Sequence, residues 1–195
     1  MTADSISRSP ELMNPFDTAL LVIDVQEKLL PAIHGGERVA WNIGRLIQAA
    51  KTLGVAIDVS EQYPKGLGPT ISSLKSELPE PRAKLMFSCR ELADMIQSWR
   101  ERGIYKILAS GIETHVCVQQ TVLDLLGEGF QVYLAVDAVS SRSLLDHEIA
   151  VRRMDSSGAT ITTTEAAMFE WCERAGTAEF MQISALVKET GPRLP

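Results

Sequence analysis

The sequence has no run of lysine or arginine residues and no long apolar stretch. Acidic residues outnumber basic ones, and the formal net charge is -6 at pH 7, whereas proteins that bind nucleic acid electrostatically normally show a basic stripe. The longest apolar run, Ala19 to Ile23, is far too short to cross a bilayer, and no apolar signal segment follows Met1. We therefore expect no nucleic-acid partner and no membrane partner.

Cysteine and histidine are also scarce, with three residues of each type. An odd number of cysteines with no CxxC pair argues against both a disulfide framework and a structural zinc site. The histidines, at positions 34, 115 and 147, are too dispersed to support a metal cluster or a Cys-His-Asp triad. These features predict a cytoplasmic protein without a bound metal.

The chain does contain apolar, β-branched runs that alternate with amphipathic stretches. With 195 residues, of which 45% are hydrophobic, we expect a polar, loosely ordered leader over residues 1–14 and one domain over residues 15–195. Strands are predicted at 19–23, 55–59, 104–109, 131–136 and 159–162, and helices at 38–52, 91–102, 116–127 and 145–156, with a helical C-terminal part. This alternation predicts a three-layer α/β fold, in which a mostly parallel sheet carries helices on both faces.

Ligands of such folds bind at the carboxyl ends of the strands. That edge of the sheet should carry Asp24, the segment 60–69 and the segment 110–117. The Pro- and Gly-containing stretch 61–81 is predicted to be a long loop, and loops of that length inside a domain are often functional.

Cys117 is the strongest candidate for a catalytic group. It falls in the first turn of a predicted helix, where unpaired backbone N–H groups and the helix dipole favour a thiolate and could also bind an oxyanion. The alternative is a small buried packing residue, which is common for a free cysteine.

A cysteine nucleophile needs a base or a charged partner. Asp24 ends an apolar strand, where a carboxylate is costly unless it is paired, although it could also be a turn or N-cap residue. Lys84 follows the long loop and could pair with Asp24 beside the thiol, although an exposed lysine is the ordinary alternative. His115 lies two residues before Cys117 and should point to a different face. Cys89 and Cys172 are predicted to be packing residues.

Three segments together resemble the motifs of the isochorismatase-like cysteine hydrolases. They are Leu21-Val22-Ile23-Asp24-Val25-Gln26, Lys84-Leu85-Met86-Phe87-Ser88 and Gly111-Ile112-Glu113-Thr114-His115-Val116-Cys117-Val118. The match runs in order from about Asp17 to Leu186. The segments 60–70 and 136–142 are most similar to the branch of isochorismatase domain-containing proteins, whose substrates are not generally known.

The resemblance implies a role for each matching residue. Cys117 would be the nucleophile, Asp24 the general base, and Lys84 the cation that lowers the thiol pKa and steadies the developing charge. A non-proline cis peptide would lie between Ile112 and Glu113, so that the N–H groups of Glu113 and Cys117 form the oxyanion hole. The resemblance also implies a homo-oligomer.

The sequence departs from the metal-binding nicotinamidases of that superfamily. They carry an Asp-x-His pair after the second strand, where this chain has Glu61-Gln62-Tyr63, so we expect no catalytic metal, no cofactor and a substrate other than nicotinamide. True isochorismatase does not use a cysteine nucleophile at this position, so Cys117 favours acyl transfer.

These observations predict a hydrolase that acts through a thioester on a small amide-like or related carbonyl compound, at a C–N bond other than a peptide bond. Gln26, Gln62, Tyr63 and Leu67 are the expected substrate-binding residues. A second hypothesis is a redox-responsive or scaffolding protein that kept the fold and lost efficient catalysis.

Overall fold

The computed structural model describes residues 6–192, and its central feature is a six-stranded sheet. The strands are β1 (Thr18–Ile23), β2 (Ala56–Gln62), β3 (Arg82–Lys84), β4 (Lys106–Ile112), β5 (Gln131–Ser140) and β6 (Thr160–Thr162). Their order is β3-β2-β1-β4-β5-β6, and every neighbouring pair is parallel. The predicted α/β fold with a mostly parallel sheet is confirmed.

Helices cover both faces of the sheet. They are α1 (Gly36–Leu53), α2 (Pro64–Leu67), α3 (Ser72–Lys75), α4 (Ala93–Glu101), α5 (Gln119–Gly127), α6 (Leu144–Ser156), α7 (Thr164–Cys172) and α8 (Ala178–Val187). One apolar cluster joins α1, α7 and α8 to one face, and a second joins α4, α5 and α6 to the other. No helix among residues 6–192 is long and apolar enough to cross a membrane.

Strand β1 lies in the middle of the sheet and is buried along its whole length. Its side chains alternate between the two apolar clusters, so that Leu20 and Val22 enter one and Leu21 and Ile23 enter the other. Burial on both faces explains why this strand has a continuous apolar run in place of an alternating pattern.

The strand register brings the carboxyl ends of four strands, β1 to β4, to one place. Ile23, the last residue of β1, pairs with Ser60 of β2 and with Gly111 of β4, and Gln62 pairs with Lys84 at the end of β3. Residues that follow these positions therefore meet at the same edge of the sheet, as predicted for parallel strands.

Gly111 permits the close approach of β4 to β1 at this edge. Its φ is +120°, and a Cβ atom at this position would overlap the carbonyl oxygen of Ile23. Only glycine has both the conformational freedom and the space that this position requires.

The stretch 61–81 is more ordered than the predicted long loop. It contains the end of β2 and the short helices α2 and α3. Strands β2, β4 and β5 also extend further than their predicted ends, because backbone pairing with the neighbouring strands continues past the apolar runs. Strand β3 was not predicted at all.

The part of the predicted leader that the structure describes is docked on the domain. Met13 is fully buried, and its N–H donates to Glu170 Oε2. Arg8 donates to the carbonyl oxygens of Met13 and Glu170, and Lys106 Nζ donates to that of Leu12. Polar composition suggested loose order, but backbone groups of this segment are hydrogen-bonded to charged side chains. Residues 1–5 lie outside the described part of the chain.

Candidate active site

Asp24 lies directly after β1 and is fully buried. Its backbone is left-handed, with a φ of +55°, and its N–H donates to the Ser60 carbonyl oxygen. The carboxylate accepts two short hydrogen bonds of 2.7 Å, from Ser60 Oγ to Oδ1 and from Lys84 Nζ to Oδ2. A buried carboxylate is tolerable only with partners of this kind.

Lys84 ends β3, and its side chain has no exposed surface. Besides Asp24, its ammonium group donates to Gln62 Oε1 at 2.7 Å and to the carbonyl oxygens of Phe87 and Met86 at 2.9 and 3.4 Å. Burial acts to lower the pKa of Lys84, but the charge and hydrogen bond of Asp24, together with the nearby Cys117 and Cys89, outweigh it and the net pKa is raised. The lysine is therefore a permanent positive charge inside the site.

Cys117 belongs to a π-helical turn, Thr114–Val118, which leads into α5. The peptide bond between Ile112 and Glu113, just before this turn, is cis. The cysteine is 5% exposed. Burial raises the pKa of its thiol, the charge of Asp24 and a hydrogen bond to it raise the pKa further, and the charge of Lys84 opposes them only in part. The resting group is therefore a thiol.

Side chains from the segment after β5 and from α6 contact Glu113 and the π-helical turn that carries Cys117. The Glu113 carboxylate accepts from the backbone N–H and from Nε of Arg142, at 3.1 and 3.0 Å. Thr114 Oγ1 pairs with His147 Nδ1 at 3.0 Å, and His115 Nδ1 pairs with Ser141 Oγ at 2.9 Å. His115 is thus engaged away from the thiol.

These three groups can carry out nucleophilic chemistry together. A thiol beside a carboxylate has a proton acceptor within reach, and a fixed ammonium stabilises the negative charge that appears when the proton moves. All three groups are buried, so these charges act more strongly on one another than they would in water.

The residues described by the structure offer no metal-binding cluster of three or more His, Cys, Asp or Glu side chains. The segment where the nicotinamidases carry metal ligands is engaged in other contacts. Glu61 Oε1 accepts from the N–H and hydroxyl of Thr70, at 2.6 and 2.8 Å, and Tyr63 is half exposed. Gln62 is bound to Lys84.

Most of the chain matches the model of one known protein family. The model of the isochorismatase domain matches residues 18–166, which include Asp24, Lys84 and Cys117. The chain belongs to the isochorismatase domain family.

Relatives of this isochorismatase domain protein are similar over most of its length. Isochorismatase domain-containing protein 1 of Danio rerio is 36% identical over 92% of the chain, and the chain spans 64% of that relative. Isochorismatase domain-containing protein 2A of Mus musculus is also 36% identical, over 91% of the chain and 86% of its own length. Among solved structures, the MAR1 ribonuclease from Caenorhabditis elegans is 36% identical, with a TM-score of 0.86 and coverage of 94% and 95% of the two chains.

The structure of this isochorismatase domain protein brings Asp24, Lys84 and Cys117 together, but it gives Gln26 and Gln62 other contacts than the expected ones. Gln26 is fully buried, and its amide donates to the Gln62 and Gly68 carbonyl oxygens and accepts from Gln62 N–H. Gln62 is 7% exposed. The side-chain polar atoms of both glutamines are thus engaged in internal hydrogen bonds, and their contact with a substrate stays a prediction.

The other expected substrate-binding residues keep access to solvent. Tyr63 is 50% exposed, and Leu67 is partly buried in the short helix α2. Both lie in the segment that directly follows β2. Their contact with a substrate stays a prediction.

Two residues near the site were missed by sequence reasoning. Ser60 holds the Asp24 carboxylate, and it lies in the segment that the strand-end rule already indicated. Cys89 is a buried packing residue, as predicted, but its thiol also lies 3.5 Å from Ser60 Oγ. Burial and the charge of Asp24 raise the pKa of Cys89 to about 11. No sequence spacing indicated its contact with this site.

Proposed function

We propose that the protein is a cysteine-dependent hydrolase of a small amide-like or related carbonyl compound, acting through a thioester. The observation that carries the proposal is the convergence of Cys117, Asp24 and Lys84 in one buried site. Family membership supports the same chemistry, since the match covers all three residues.

In the first half of the reaction Cys117 attacks the carbonyl carbon of the substrate. Asp24 accepts the thiol proton as the sulfur–carbon bond forms, and the carbonyl π electrons move onto oxygen. The backbone N–H groups of Glu113 and Cys117 are the proposed donors to that oxyanion. Collapse of the intermediate breaks the C–N bond, and Asp24 returns its proton to the leaving amine.

In the second half water replaces the amine. Asp24 accepts a proton from water as the hydroxide forms a bond to the thioester carbon, and collapse expels the Cys117 sulfur. Protonation of that sulfur by Asp24 restores the resting thiol. Lys84 keeps its charge throughout and lowers the cost of the thiolate-like sulfur.

A screen of small amides, carbamoyl compounds and esters with the wild-type protein and two variants tests this proposal. We expect product release by the wild type and a loss of at least about 100-fold in Cys117→Ala. The matched control is Cys172→Ala, which changes a cysteine distant in sequence and should keep full activity. Residual activity of Cys117→Ala near the wild-type level would contradict the thioester mechanism.

RNA belongs in the same screen because a structural relative is named as a ribonuclease. The acidic net charge of this chain and the 5% exposure of Cys117 favour a small substrate. The raised pKa values of Cys117 and Cys89 count against the redox-responsive alternative, because sensor cysteines react as thiolates.

The proposed assembly is a homo-oligomer. Leu85, Met86 and Phe87 form a consecutive apolar segment next to the site, exposed by 69%, 45% and 51%. Contiguous exposed apolar side chains often mark protein–protein contacts. The proposed location remains the cytoplasm.

A further inference from the structure

The four oxygen atoms around the Lys84 ammonium form a closed set, which we call the ammonium cage. Its members are Asp24 Oδ2, Gln62 Oε1 and the carbonyl oxygens of Met86 and Phe87. An ammonium group has three N–H donors and no acceptor. The three shortest contacts, to Asp24, Gln62 and Phe87, take up all three donors, and the 3.4 Å contact to Met86 shares one of them.

We propose that Gln62 is a positioning residue, which holds Lys84 against Asp24 so that the lysine acts as a fixed charge and not as a proton donor to the substrate. The inference rests on the proposed function, because it assigns a task to Lys84 in that site. In this arrangement Asp24 moves protons, whereas Lys84 only supplies charge.

Gln62 is well built for this task. Its side-chain oxygen accepts from Lys84, and its side-chain nitrogen donates to the Leu85 carbonyl oxygen at 2.8 Å. That second bond fixes the orientation of the amide, so that oxygen and not nitrogen faces the ammonium. The backbone of Gln62 is held in turn by Gln26. A rotation of the Gln62 amide would place two N–H donors against a cation.

Gln26 provides a matched control, because it shares the neighbourhood but not the contact. It is buried, bonds to the backbone of Gln62 and Gly68, and makes no contact with Lys84 among its described hydrogen bonds. Replacing Gln26 therefore loosens the segment after β2, whereas replacing Gln62 also removes an acceptor from the ammonium cage.

The first experiment measures iodoacetamide alkylation of Cys117 at pH 9 in the wild type, Gln62→Met and Gln26→Met. Loss of the Gln62 acceptor destabilises the buried Lys84 ammonium, so that its positive charge is held less firmly in the site. Lys84 then lowers the pKa of Cys117 by a smaller amount than in the wild type. A rise of about half a pKa unit slows alkylation about threefold. We expect that slowing in Gln62→Met, a smaller slowing in Gln26→Met, which loosens the backbone of Gln62 but keeps the acceptor, and unchanged alkylation of Cys172 in both variants.

Equal alkylation of Cys117 in all three proteins, or equal slowing in the two variants, would overturn the positioning role. A second measurement needs no variant at position 62. In ¹⁵N-labelled wild-type protein, the ammonium protons of Lys84 should exchange slowly enough to give an NMR signal at pH 7, which Lys84→Arg removes. Absence of that signal in the wild type would also overturn the inference.

Neither readout uses a substrate, so failure here leaves the hydrolase proposal untouched. Conversely, a wild-type protein that shows both expected readouts and no turnover would count against the hydrolase proposal alone.

Discussion

Cys117 shows how tertiary burial can reverse an expectation based on local sequence. Its place near the start of a helix predicts a lowered thiol pKa, but burial and the charge of Asp24 raise the pKa. In the proposed mechanism the thiolate is therefore generated at the moment of attack, when Asp24 accepts the proton. A single sequence shows the helix start, but it does not show how completely the folded chain covers the sulfur.

The raised pKa of the Cys117 thiol determines how its alkylation depends on pH. Because the pKa is raised, the thiolate fraction at pH 7–8 is smaller than that of an ordinary thiol with a pKa of about 8.5. We expect alkylation that is slow at pH 8 and still rises with pH above 9, measured by peptide mapping after limiting iodoacetamide. Unfolded protein in denaturant provides the ordinary rate for the same cysteine. A plateau of Cys117 labelling below pH 8 would contradict the raised pKa.

The position of β1 can be predicted from the sequence, whereas that of β3 cannot. The apolar run of β1 marks the position of Asp24, because burial on both faces leaves a continuous hydrophobic pattern. Strand β3 has only Arg82, Ala83 and Lys84, with no apolar pattern. Its pairing with β2 is decided by tertiary contacts, so the resemblance indicated a role for Lys84 but periodicity could not place it in a strand.

The contact between β1 and β4 gives a prediction at the scale of these elements. Gly111→Ala adds a Cβ atom that overlaps the Ile23 backbone, at a φ of +120°, so we expect a loss of about 3 kcal/mol or more in the free energy of unfolding. Gly127→Ala is the control, because a Cβ there meets no atom within 4 Å. Urea denaturation measures both. A Gly111→Ala protein as stable as Gly127→Ala would show that the two strands are not in the close contact described.

At the scale of the whole molecule, the N-terminal segment makes hydrogen bonds to elements that lie far from it in sequence. The backbone around Met13 is hydrogen-bonded to Glu170 of α7 and to Lys106 of β4. Sequence composition predicted a polar, loosely ordered leader and could not indicate these contacts, since the partners lie 94 and 157 residues away in sequence.

Met13→Ala measures how much this docked segment contributes to stability. Met13 is fully buried, so its truncation should cost about 2–4 kcal/mol in the free energy of unfolding. Met181→Ala is the matched control; it is 66% exposed, and its effect should stay within about 0.5 kcal/mol. Chemical denaturation of both variants checks the difference. Equal stability of the two would mean that the segment is not packed as described.

The most direct test of the central claim compares two readouts of one variant, Asp24→Asn. In the proposed mechanism the carboxylate both raises the pKa of Cys117 and accepts its proton. Removal of the charge should therefore speed alkylation of Cys117 at pH 8 about tenfold, for a fall of about one pKa unit. In the same protein, turnover of a substrate found in the screen should fall by at least about 100-fold, because the base is gone. Alkylation and turnover that fall together, or turnover that survives, would contradict the account.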